Sequence, residues 1–79
     1  MVRVENIIVN GNEFCFDYYP ENENTKHFFK YNIDTKTVIE HTKSEKYSSE
    51  IYAKQAFIYV KRLIDNKKDI PKYQIIEWY

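Results

Sequence analysis

Two apolar runs, residues 2–9 and 13–19, flank Asn10-Gly11. That dipeptide accepts positive φ and is the strongest short-range hairpin signal. A two-residue turn on it would set Phe14 against Ile7 and Phe16 against Glu5. A three-residue loop, Val9-Asn10-Gly11, with Gly11 left-handed in a bulge, sorts the chain better. It collects Val2, Val4, Ile8, Phe14, Phe16 and Tyr18 on one face and Arg3, Glu5, Glu13 and Asp17 on the other. Register follows the arrangement that buries one whole face, so the bulged loop is expected.

Pro20 lacks an amide donor and ends the second strand. Residues 21–25 are polar and loop-forming, and alternation resumes over 26–33, with Phe29, Tyr31 and Ile33 inward and Phe28, Lys30 and Asn32 outward. Asp34-Thr35-Lys36-Thr37 is turn-forming through the Asp side chain. A fourth strand follows over 38–42 and can bury either Val38 or Ile39.

The period then changes. Ser48 or Ser49 reads as an N-cap with Glu50 in the first turn. From there to about Asn66, Ala53, Ala56, Phe57, Val60, Leu63 and Ile64 form one helical stripe flanked by Tyr52 and Tyr59. Glu50, Lys54, Lys61, Arg62, Asp65 and Lys68 take the opposite side, with Ile58 among them. Lys67 and Lys68 suit the negative end of the helix dipole. Ile70-Pro71 stops the helix, because the residue before proline avoids helical geometry. Residues 72–78 read as a last strand.

The predicted order is ββββαβ: an α+β fold of two layers, a mainly antiparallel four- to five-stranded sheet with one helix packed on one face. It forms a single domain over residues 1–79. Burying a large aromatic contributes about 2–3 kcal/mol, a large share of the stability of so small a domain. Removing residues 77–79, which include Trp78, is therefore expected to unfold most of the molecule.

Composition narrows the function classes. Lys+Arg and Asp+Glu are both 12, for a formal net charge of +0, which excludes a strongly basic nucleic-acid binder. With 43% hydrophobic residues, 18% aromatics and one glycine, the chain is not disordered. Cys15 is the only cysteine, which excludes an internal disulfide. The start carries no secretory pattern, and no apolar run approaches the roughly 20 residues of a membrane span. A cytoplasmic protein with no membrane partner is expected. Ten Ile against one Leu, with many Lys, Asn and Tyr, points to AT-rich coding, as in low-GC bacteria and their phages.

Catalytic chemistry finds little footing. His27, His41 and Cys15 are too few and wrongly spaced for a structural zinc site, so no metal or other cofactor is expected. The two histidines are expected as a surface pair at the solvent edge, with His41 opposite Phe29 if the intervening turn has three residues. Cys15 sits between two phenylalanines, away from the helix, with no base beside it. Glu5 and Asp17 neighbour each other on an open sheet face, without the dry pocket that acid–base catalysis requires. No phosphate-cradling or nucleophile-elbow motif is present. The reading is a non-enzymatic protein with no small-molecule substrate.

Surplus aromatics suit an interface. Tyr19, Phe28 and Lys30, on the sheet face away from the helix, are the expected binding residues for a protein partner or a second copy. Ser at positions 19 and 28 should weaken that contact and leave the fold intact. A phage or mobile-element protein occupying a host target is one specific form of this reading. The alternative is a single-stranded nucleic-acid module using the sheet aromatics and a helix face with Lys54, Lys61, Arg62 and Lys68. Glu5, Glu13 and Asp17 on the sheet, with Glu50 and Asp65 on the helix, oppose it.

Overall fold

The computed structural model describes residues 1–78. In it, β1 (Val2–Asn10), β2 (Glu13–Pro20), β3 (His27–Asn32), β4 (Thr37–His41), α1 (Ile51–Asp65) and β5 (Tyr73–Ile76) follow in the expected ββββαβ order. The strands form one antiparallel sheet, β4-β3-β2-β1-β5, with α1 packed on one face. The first four strands are a meander. After the helix the chain returns to pair β5 with β1, which makes β1 an interior strand.

The first hairpin departs from expectation. Asn10 pairs with Glu13, so the loop is two residues, Gly11 and Asn12, with Gly11 at φ +63. The odd residue is absorbed in mid-strand, where the register shifts between Glu5 and Ile8 and Asn6 adopts φ 52. That bulge turns Ile7 toward the core and leaves Ile8, expected inside, 57% exposed. Both placements bury Val2, Val4, Phe14, Phe16 and Tyr18, so the apolar pattern alone did not choose between them. Asn6 decides it chemically. Asparagine tolerates the left-handed region, and its Nδ2 donates to the buried Asp17 carboxylate at 2.7 Å.

The core joins those five side chains and Phe29 to Ala53, Ala56 and Val60 of the helix. Small residues on the contact line let α1 approach the sheet closely, and rings fill the space around it. Phe16 stacks on Phe29 at 5.3 Å, and the Phe57 ring lies 5.9 Å from Phe14 and 4.7 Å from Tyr31.

Both helix ends differ in detail from the sequence reading. Glu50 occupies the N-cap position with helical φ and ψ and no side-chain cap, while Ser49 Oγ accepts the Ile51 amide at 3.3 Å. Glu50 is drawn instead to Lys43, 2.9 Å away. At the other end Lys67 takes φ 53, its amide reaches the Ile64 carbonyl at 3.1 Å, and Lys68 reaches Leu63 at 2.9 Å. This is a Schellman closure with lysine in the seat that favours glycine. The last strand is shorter than expected, and Trp78 beyond it is half-buried with its ring 5.7 Å from Tyr52. Of the segment expected to hold the fold together, Tyr79 lies outside the described residues. No helix among the described residues is long and apolar enough to cross a membrane.

Candidate functional site

The helix backbone lies over β1, β2 and β5, and the β3–β4 hairpin projects past it. Phe57 reaches sideways to Phe29 and Tyr31 but does not fill the gap. What remains is a cleft of about 400 Å³ walled by Phe29, Tyr31, Val38, Ala53 and Phe57, with His41, Glu50 and Lys54 as its polar members. Val38 pairs with Tyr31 and so faces the helix side, yet it stays 53% exposed because nothing sits above it among the described residues. Neither Val38 nor Ile39 is buried, so the fourth strand hides neither of its two aliphatic candidates.

The polar members differ in what they offer. Glu50 is occupied by Lys43, whose hydrogen bond and charge hold the carboxyl below its ordinary range. Lys54 has no carboxylate partner among the described residues. His41 Nε2 lies 2.7 Å from the Tyr18 hydroxyl, which itself donates to the Thr42 carbonyl at 2.7 Å. A phenol has one proton and a carbonyl can only accept, so the Nε2 of His41 carries the hydrogen of this contact. In the neutral ring Nδ1 is then a bare acceptor. It has no partner among the described residues and is not sealed from solvent. Burial, followed by the nearby Lys43 charge, lowers the His41 pKa and keeps the ring neutral at pH 7. Burial also pushes the Tyr18 phenol up to about 12.

The histidines are not the surface pair expected. His27 is buried on the core side, its Nε2 3.0 Å from Glu23 and its ring 5.6 Å from Tyr18. His41 does stand opposite Phe29, but through a four-residue turn plus a bulge at Ile39 in place of a three-residue turn. No group of three or more His, Cys, Asp or Glu side chains arranged for a metal occurs among the described residues.

Tyr19, Phe28 and Lys30 all lie on the face turned away from α1, and each is half-buried. The Arg3 guanidinium sits 4.1 Å above the Tyr19 ring, while its Nε bonds Glu5 at 2.6 Å and its Nη1 bonds Asn22. Lys30 lies 3.4 Å from Glu13. Both outer-face cations therefore already serve carboxylates. Cys15 lies between Ile8 and Lys30 in the sheet, and burial raises its pKa more than Lys30 lowers it, which keeps it a thiol. On the helix, Lys61 is paired with Asp65 at 2.8 Å, while Lys54, Arg62 and Lys68 have no carboxylate partner among the described residues.

Comparison with known proteins returns no matching family model, no matching curated protein and no matching solved structure. The cleft was missed from sequence because it depends on where the helix sits across the sheet. One signal was available: Ala53, Ala56 and Val60 mark the line of close approach, and the bulky Phe57 beside it props that flank open.

Proposed function

We propose that this chain is a small non-catalytic binding protein that captures a protein partner through the groove between α1 and the β3–β4 hairpin. The observation that carries the reading is the open, aromatic-walled cleft left by the offset of the helix. At about 400 Å³ it lies at the small end of ligand pockets, which run to about 1,000 Å³, and it suits an inserted anchor side chain. Apolar walls with a few fixed polar groups are what a binding hot spot needs. The partner would present an aromatic or branched aliphatic anchor, a donor for His41 Nδ1 and a carboxylate for Lys54. A host protein seized by a phage or mobile-element product is one form of this function.

The test compares two surfaces. Immobilised wild type, Val38→Arg and Tyr19→Ser/Phe28→Ser are challenged with native-host lysate, and bound proteins are quantified by mass spectrometry. A partner retained by the outer-face variant and reduced at least about tenfold by Val38→Arg supports the groove. Retention by Val38→Arg with loss in the outer-face variant would move the site to Tyr19, Phe28 and Lys30. The nucleic-acid alternative draws support from Lys54, Arg62 and Lys68 and predicts heparin retention that falls steeply with salt.

A further inference from the structure

The sheet ends in two edge strands, β4 and β5, and they are not equally protected. β4 carries a bulge at Ile39, where its register against β3 shifts. A bulge breaks the even spacing of free amides and carbonyls that an incoming strand needs. β5 has no bulge, and the side-chain bond on its backbone is a local one, from Gln74 Nε2 to the Ile75 carbonyl at 3.1 Å. It pairs with residues 2–5 of β1 in unbroken register, and none of its four residues, Tyr-Gln-Ile-Ile, is charged. An open groove runs beside it, lined by Lys72, Tyr73, Gln74 and Ile75. Tyr73, 59% exposed, is the most exposed large apolar side chain among the described residues, and Ile75 is 38% exposed. Tyr73 and Ile75 pair with Glu5 and Arg3, which places both on the sheet face away from the helix.

We infer that β5 pairs with β5 of a second copy of this chain, joining two sheets edge to edge. Symmetry selects the register. A two-fold axis that pairs antiparallel strands stands normal to the sheet and keeps outer faces together, so paired residues must share a face. An axis through Gln74 meets this condition. It sets Gln74 against Gln74 of the second copy and Tyr73 against its Ile75, twice over. The two most exposed apolar side chains of the strand thus cover one another, in cross-strand pairs of the aromatic–β-branched kind. The formal net charge of +0 adds no repulsion between copies. The proposed groove beside β4 lies at the opposite edge, so this pairing is independent of it.

Sedimentation equilibrium of the full chain tests the inference across a concentration series. Wild type should reach twice the 9.7 kDa monomer mass. Tyr73→Lys/Ile75→Lys puts like charges across the axis and should weaken the dimer at least about tenfold, with unchanged far-UV circular dichroism. Tyr73→Glu/Ile75→Lys puts opposite charges across the same axis and should restore it. If the double-lysine variant does not fold, Ile75→Lys alone supplies the comparison. A wild type that stays monomeric at its solubility limit overturns the inference, as does a dimer indifferent to the lysine substitutions. A dimer that the Glu/Lys variant does not restore overturns the register.

Discussion

The Tyr18 hydroxyl and the His41 imidazole meet at 2.7 Å across the width of β3, tying the second strand to the edge strand β4. The same hydroxyl holds the Thr42 carbonyl just past that strand. β4 buries little of its own, and this polar tie adds to the backbone pairing with β3 that holds the strand.

Its titration is testable at both ends of the pH scale. The folded state lowers the pKa of His41 from its ordinary 6.5, so the unfolded chain binds the proton more tightly. His41 therefore favours the fold fully above pH 6.5, and that advantage is lost as the pH falls through its native value. Melting temperature followed from neutral pH down to about pH 5 should drop more in the wild type than in His41→Gln. Equal slopes would show that the ring does not sense folding. Tyr18 works in the other direction: its phenol is raised from 10.0 to about 12, so stability declines as the pH rises between those values. In an ultraviolet titration Tyr18 should ionise only as the alkaline transition begins.

The Asn6 bulge separates two effects. Asn6→Gly keeps a backbone at ease with φ 52 but leaves the buried Asp17 carboxylate without its donor, at a cost of about 1–3 kcal/mol. Asn6→Ala loses the same hydrogen bond and adds left-handed strain of about 1 kcal/mol. Urea denaturation should rank wild type above Asn6→Gly and Asn6→Ala lowest. The reverse order of the two variants would remove the bulge from the account.

Lys67 offers a gain. It holds the left-handed position of the helix C-terminal closure at φ 53. Lys67→Gly relieves that conformation and should raise stability by about 0.5–1 kcal/mol, read as a higher urea midpoint. Any loss of stability would mean that the lysine side chain has a role beyond the backbone turn.

These cases show how much the sequence disclosed. Alternation over Phe28, Phe29, Lys30 and Tyr31 assigned the faces of β3 correctly, because that strand crosses the edge of the core and every inward ring finds a neighbour. The helical stripe from Ala53 to Val60 was equally legible. The position of the first bulge was not, since sliding β1 along β2 until Val4 pairs with Tyr18 keeps the same five side chains inside and merely turns Ile7 inward in place of Ile8. The register of β4 was hidden for a related reason: alternation is informative only where one side is covered, and α1 stops short of Val38. The groove and the exposed β5 edge are both products of assembly. Strand order and helix offset made them, and neither leaves a mark in local periodicity.

That sideways placement of the helix divides the molecule mechanically. Hydrophobic weight sits over β1 and β2, while the β3–β4 hairpin extends from it, held along its length at Phe29 and Tyr18 and at its turn by Asn12, whose carbonyl accepts the Ile33 amide at 2.7 Å and whose Nδ2 donates to Asp34 at 2.9 Å. Amide protons along β4 should exchange with deuterium through small local openings, well before those of β1 and β2, which wait for global unfolding.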